Sequence, residues 1–206
     1  EEILDTLNIN WSNLFFNNKF KKSGSKTSYS SKNKKSTEDK YKYTNHYIYF
    51  NKNYELAYII VKFINKKNGS KKFMPYHEKN NKFIKGMGNN KKILYNLPGI
   101  LKAIKENNTI FIVEGEKDAD TLTGLGYIAT TNPFGANSWE ESFTETITGA
   151  NEVIIIPDND KVGLKHLKQI AKSIYDNVKK LKMLKIPALK EGEDITDWVK
   201  KLPLIY

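Results

Sequence analysis

Two apolar runs in this chain end in carboxylates. Ile110-Phe111-Ile112-Val113 leads into Glu114-Gly115-Glu116-Lys117-Asp118, and Val153-Ile154-Ile155-Ile156-Pro157 leads into Asp158-Asn159-Asp160. Oxygen ligands with no His or Cys beside them suit a hard cation, Mg²⁺ or Mn²⁺. Carboxylates brought together also repel one another, and the dipole of a following helix does not offset that repulsion. A divalent ion would. The competing reading makes Asp158 and Asp160 ordinary N-cap and turn acids, for which Asp is a favoured residue. The second cluster, around Glu114, tilts the balance toward a site.

The elements that must position these acids read as an alternation of strands and helices. Strands are expected at 110–113, 127–131, 152–156 and about 182–186, and helices at 98–106, 116–124, 139–148 and 163–180. Apolar strands punctuated by amphipathic helices predict a parallel sheet with flanking helices on both faces. Such sheets carry their working residues just past the carboxyl ends of the strands, where Glu114 and Asp158 fall, and Gly115 permits the turn from strand into helix.

Upstream, short runs such as Tyr47-Ile48-Tyr49-Phe50 and Ala57-Tyr58-Ile59-Ile60-Val61 are separated by Asn-Lys-Asn and Lys-Lys-Asn-Gly turns. Aromatic and β-branched enrichment with this punctuation predicts an antiparallel meander. Before it, Lys21 to Lys42 is dominated by Lys, Ser, Asn and Thr, the composition of a solvated, disordered linker. An apolar patch of Trp11, Leu14, Phe15 and Phe16 precedes the linker. The expected division is an N-terminal segment and linker at 1–42, a basic β-rich subdomain at 43–97 and an α/β domain at 98–206.

The 206 residues carry a formal charge of +11, and all 34 basic residues are lysines. An AT-rich genome would enrich lysine and asparagine regardless of function, whereas net positive charge favours polyanions through counterion release. Without arginine there is no bidentate fork for phosphate or guanine, so backbone contact is favoured over base readout. No cysteine is present, which excludes disulfides and a Cys-based zinc ribbon within these residues. No apolar run approaches the roughly 20 residues that cross a bilayer, so no membrane role is expected and a cytoplasmic location fits. No P-loop sequence occurs. The start at Glu1, without Met or a signal pattern, points to a piece of a longer protein.

The pairing of Glu114-Gly115-Glu116-Lys117-Asp118 with Asp158-Asn159-Asp160 resembles the TOPRIM signature of bacterial-type primases, topoisomerases and OLD-type nucleases. The resemblance is greatest to the TOPRIM proteins of phages and plasmids, which are often fused to a helicase. Thr130-Thr131-Asn132-Pro133, Gly135-Ala136, Trp139, Gly163 with His166, and Gly192-Glu193-Asp194-Ile195-Thr196-Asp197-Trp198 add to it. It implies a TOPRIM fold in which Glu114, Asp158 and Asp160 are catalytic and hold Mg²⁺, with Asp118 and Asp194 as further acids. Asp194 and Asp197 stand three apart, wider than the alternate spacing of that family.

Primases of that type also place a basic subdomain before the TOPRIM fold, where lysines flank a Lys-aromatic pair and a Leu-Tyr segment. Lys71-Lys72-Phe73 and Lys91-Lys92-Ile93-Leu94-Tyr95 are similar, which makes Lys72 and Lys92 candidates for gripping template or nucleotide phosphate; Lys117, Lys161 and His166 are candidates beside the acids. Generic surface lysine, and a surface histidine at a helix start, are the alternatives. Phe63, Phe73, Tyr76 and Phe83 could stack bases, although strand aromatics are more often core; Trp198 reads as a packing anchor. The implied activity is Mg²⁺-dependent primer synthesis, with single-stranded DNA template, nucleotides and a helicase domain or protein as partners. A TOPRIM nuclease, a non-catalytic nucleic-acid-binding module, and a phosphatase built on Asp158-Asn159-Asp160-Lys161-Val162 are the alternatives. The zinc-binding domain that such primases use to engage template has no ligands here.

Overall fold

The computed structural model describes residues 40–135, 138–187 and 189–202. The apolar patch at Trp11–Phe16 and the linker expected up to residue 42 lie, but for its last three residues, outside them. Four antiparallel strands come first: β1 (Tyr41–Phe50), β2 (Leu56–Asn65), β3 (Lys71–Lys79) and β4 (Lys82–Lys85), in spatial order β1-β2-β3-β4. The turn residues do what the sequence pattern requires, since Asn80 and Asn81 both take positive φ (53° and 57°) in the two-residue β3–β4 hairpin.

Helix α1 (Leu97–Glu106) then leads into the second sheet, made of β5 (Thr109–Ile112), β6 (Ile128–Thr130), β7 (Glu152–Ile155) and β8 (Leu181–Met183). These strands are parallel in the order β6-β5-β7-β8. Helices α2 (Glu116–Gly124), α3 (Glu141–Ile147) and α4 (Lys161–Ile174) form the crossovers, and α5 (Ile195–Val199) follows the sheet. The mixed α/β architecture expected from the sequence is therefore present.

Alternation along the central strands explains why both faces are covered. Ile110 and Ile112 of β5 and Val153 and Ile155 of β7 point to one face, where they meet Ile100 and Ala103 of α1, Phe143 and Ile147 of α3, and Leu167, Ile170 and Ile174 of α4. Val113, Phe111, Ile154 and Ile156 point to the other, against Ala119 and Leu122 of α2 and Ile195 and Trp198 of α5. Trp198 thus packs as expected. Strands buried on both faces read as continuous apolar runs, as these do.

The two sheets meet along a seam of tyrosines. Tyr47, Tyr49, Tyr58 and Ile60 form the core of the antiparallel sheet, with Ile93 and Tyr95 against them, and Tyr95 also packs on the core under α2. Tyr49 and Tyr58 stack with centroids 4.6 Å apart, and Tyr95 meets Tyr49 edge-on at 5.2 Å. Two of the hydroxyls reach α2. The Tyr49 hydroxyl donates to Glu116 Oε1 at 2.8 Å and that of Tyr95 to Asp120 Oδ1 at 2.8 Å, both on α2. Burial, and then the Glu116 carboxylate, push the Tyr49 hydroxyl well above its ordinary pKa, so it stays a donor.

Glu116 is 8% exposed, and removing its donor leaves a buried carboxylate short of a partner. Tyr49→Phe should therefore cost about 1–3 kcal/mol, read as a lower urea midpoint. An unchanged midpoint would mean that this hydrogen bond does not hold the sheets together.

Candidate metal and nucleotide cleft

The strand order creates one switch point. From β5 the chain crosses through α2 to β6 on one side, while β7 lies on the other, so a crevice opens between the carboxyl ends of β5 and β7. The ladder is in register to its end, with Ile112 beside Ile155 and the Ile156 amide donating to the Ile112 carbonyl at 2.9 Å. Glu114 and Asp158 leave the sheet on the two sides of this crevice.

Glu114, Asp118, Asp158 and Asp194 line one cleft of about 250 Å³, together with Lys117, Phe134 and Gly135 from the parallel half and Tyr47, Lys62, Lys71 and Phe73 from the antiparallel sheet. The acids on its floor shift each other's titration. Asp158 is pushed up from 3.8 to about 8 by burial and then by Glu114, Asp118 and Asp194. Burial, followed by the charges of Asp160 and Asp118, raises Glu114, and burial raises Asp118. For Asp194, burial opposes ionisation, but the Lys117 ammonium and the Asp197 amide outweigh it and hold the carboxyl below its ordinary value.

Glu114 Oε2 is buried and has no hydrogen-bond partner. A buried carboxylate oxygen without a donor is costly unless something neutralises it. Gly163, in the first turn of α4, keeps the space around it open: a Cβ there would come within 2.8 Å of Glu114 Oε2 and 2.7 Å of the Asp158 carbonyl. These oxygens fit a hard cation. Among the described residues, however, no group of three or more acids and histidines is drawn into a closed ligand cage. The carboxylates face a common space without converging on one point.

The remaining residues singled out from sequence fall in different places. Asp160 caps α4 by accepting from the Gly163 amide at 2.7 Å, as the N-cap reading expects, and it still acts on Glu114 and Asp158 through its charge. Asp118 Oδ1 accepts from Thr196 Oγ1 at 2.5 Å, and Asp194 caps α5 through the Asp197 amide at 3.0 Å. Lys117 pairs with Asp194 and stands 3.8 Å from Asp118 Oδ1, as an internal counter-ion of the floor.

Lys92 is bound to Glu140, and the Lys72 ammonium lies over the Tyr41 ring, 5.0 Å from its centroid; neither lines the cleft. Lys161 is exposed at the start of α4, outside the cleft lining. The surface reading of His166 is wrong: it is 3% exposed because α4 turns it inward, and its Nε2 meets Asn132 Oδ1 at 3.1 Å. The core reading of the strand aromatics also fails. Phe73 is exposed, and Phe63, Tyr76 and Phe83 are half-buried, whereas the packed cluster of that sheet is Tyr47, Tyr49, Ala57, Tyr58 and Ile60.

Lys62 and Lys71 are the cleft lysines that sequence reading missed. The signal was the period of two: Lys71, and not Lys72, shares a face with Phe73, and Lys62 lies directly across from Phe73 in the β2–β3 register.

A parallel sheet with carboxylates at its switch point is the arrangement of a Toprim domain, and the Toprim domain family model matches residues 109–189. Over 113 residues the chain is 32% identical to the Gene 57 protein of Mycobacterium phage D29, a match covering 55% of this chain and 67% of that protein. The chain belongs to the Toprim family. Its fold is similar to that of the Aquifex aeolicus primase zinc-binding and RNA polymerase domains (TM-score 0.56, 18% identity), over 74% of this chain and 36% of that one. A DNA primase domain from Pseudomonas aeruginosa aligns with TM-score 0.55 and 19% identity, over 75% of this chain and 46% of that one. A DnaG primase catalytic domain bound to single-stranded DNA aligns with TM-score 0.52 and 20% identity, over 76% and 48%. At these identities the likeness is one of fold. The chain spans less than half the length of each.

Two measurements test the floor. Asp158 has a folded pKa above its ordinary value, so its contribution is full below 3.8 and is lost as pH rises toward about 8. Metal-free protein should therefore lose stability across that window, and Asp158→Asn should flatten the decline. A slope unchanged by Asp158→Asn counts against the crowding. Gly163→Ala should cost about 1–3 kcal/mol by overpacking and weaken Mn²⁺ binding measured by calorimetry, whereas Gly124→Ala, on α2 with open space around it, should not.

Proposed function

We propose that the chain is the catalytic core of a primase-type nucleotidyltransferase, which joins nucleotides into short primers on single-stranded DNA in phage or plasmid replication. The observation that carries this reading is the cleft itself, where hard-oxygen acids with an unpartnered Glu114 oxygen face lysines of a second sheet. Membership of the Toprim family and the fold of the primase cores support it.

Glu114, Asp158 and Asp160 hold Mg²⁺ or Mn²⁺, with Asp118 and Asp194 as further oxygen donors. Bound there, the cation supplies Lewis-acid neutralisation of phosphate charge and eases ionisation of the attacking hydroxyl. The 3′-hydroxyl oxygen of one nucleotide attacks the α-phosphorus of the next, the bond to pyrophosphate breaks, and the hydroxyl proton passes to solvent. Lys62 and Lys71 bind the phosphates, and Lys117 sets the charge of the floor through Asp194 and Asp118. Template strand and nucleotides are the partners, with a helicase domain or protein supplying the single strand, in the cytoplasm. Among the described residues no helix is long and apolar enough to cross a membrane.

The test incubates the chain, and the longer protein if it is part of one, with single-stranded DNA, nucleotides and Mg²⁺ or Mn²⁺. Short oligomers are expected, and Glu114→Gln or Asp158→Asn should reduce them at least about 100-fold, the scale of losing several kcal/mol of charge stabilisation. Absence of oligomers from both proteins sinks the proposal. Degradation of end-labelled DNA without nucleotides would instead assign the same acids to a nuclease.

A further inference from the structure

Two large apolar side chains face the cleft without being buried in it. Phe73, on β3, is 39% exposed, and Phe134, in the loop between β6 and α3, is 36% exposed. Single exposed apolar residues are common on protein surfaces and need no explanation. These two come from different halves of the protein, one from a strand of the antiparallel sheet and one from a loop of the parallel half, and line one cleft whose other groups are mostly charged.

Phe134 is held at a cost. Its φ of +67° lies in the left-handed region, which a bulky side chain rarely adopts, and Gly135 follows at +75°. Such a conformation persists only where the surroundings impose it. Here the support comes from below. Asn132 is 1% exposed, and its amide donates to the Gly135 carbonyl at 2.8 Å, while its Oδ1 accepts from Nε2 of the buried His166 at 3.1 Å. His166 thus props the loop that presents Phe134. On the opposite wall, the Lys62 ammonium lies 5.9 Å from the centre of the Phe73 ring, and Lys71 shares that face of the sheet.

An aromatic face beside ammonium groups is the combination that holds a base by stacking and its phosphate by charge. We infer that Phe73 and Phe134 are the aromatic contacts for a nucleobase, one from each half of the protein, with Lys62 and Lys71 placed for its phosphates. The ligand is a nucleobase, carried either by a free nucleoside triphosphate or by a single strand. A volume of about 250 Å³ suits one base and its sugar in an open cleft, with the phosphates extending along the wall. This inference rests on the nucleotide-binding reading above and adds to it the groups that would distinguish a nucleotide from bare polyphosphate.

The test uses 2-aminopurine, whose emission falls on stacking, as the riboside triphosphate and within an oligo-dT strand, with Mg²⁺ present and the whole chain. Wild-type protein should bind one or both probes with quenched emission. Phe73→Leu and Phe134→Gly should each weaken binding about 5- to 150-fold and remove the quenching, from a stacking contribution of ~1–3 kcal/mol per base. Gly suits the backbone at position 134, and Phe73→Tyr, which keeps a ring, should restore both signals. Tripolyphosphate, which has no base, should bind all variants alike. Loss for the triphosphate alone assigns the contact to the incoming nucleotide, and loss for the strand alone assigns it to the template.

The inference is overturned if wild type binds neither probe, if binding and quenching survive both substitutions, or if tripolyphosphate binding falls equally. Primer synthesis by the same proteins separates the two readings. Primers made by variants that still bind normally would sink the clamp and leave the proposed function standing. Ring-dependent probe binding by a protein that makes no primers would do the reverse.

Discussion

Carboxylates at the open ends of β5 and β7 are the constraint around which the parallel half is arranged. Five acids, Glu114, Glu116, Asp118, Asp158 and Asp194, line one small cleft, and burial and mutual repulsion lift Asp158 to about 8. A fold tolerates this only if the surroundings share the cost. Lys117 does so by pairing with Asp194, Thr196 by donating to Asp118, and the Gly163 amide by engaging Asp160, while the buried Glu114 Oε2 has no hydrogen-bond partner. The missing Cβ of Gly163 keeps space beside that atom. Stability has been yielded at one point, which is the usual mark of a working site.

The antiparallel sheet matters because of where it is held. Its contact with the parallel half is made by stacked tyrosine rings whose hydroxyls end on Glu116 and Asp120 of α2, the helix that starts beside Glu114. The face that packs at Tyr49, Tyr58 and Ile60 continues along the strands to Lys62, Phe73 and Lys71. One face of one sheet is therefore core at one end and cleft wall at the other. The seam that stabilises the junction also sets the wall's distance from the acids.

Much of this was legible because it is periodic. Continuous apolar runs marked β5 and β7, the change in period marked the helices, and acids at the strand ends marked the site. What escaped was set by register and caps. Lys71 and Lys72 are chemically identical neighbours, and only the pairing of β2 with β3 decides which faces the cleft. Asp160 is both cap and charge, a double role that residue type does not separate. His166 looked like a surface residue because its helix starts at a polar loop, yet the helix turns it inward to Asn132. Phe63 and Tyr76 looked like core because β-strand aromatics usually are, but they are only half-buried, on the face opposite Phe73 that also carries the buried Ile59 and Val61.

The charges of the two walls have opposite needs. The floor carries raised carboxyls that a cation would relieve, while across the cleft burial and the charges of Lys71 and Lys117 lower the Lys62 ammonium, which an anion would relieve. A cation alone would satisfy the floor and worsen the repulsion at the wall, and a phosphate alone would do the opposite. A divalent ion carrying a phosphate chain satisfies both at once, because its positive end and its negative end are separated on the scale of the cleft. Lysine suits that wall better than its lack of geometric precision implies: a flexible point charge can follow a phosphate as it moves, and nothing in phosphate-backbone contact requires a fork.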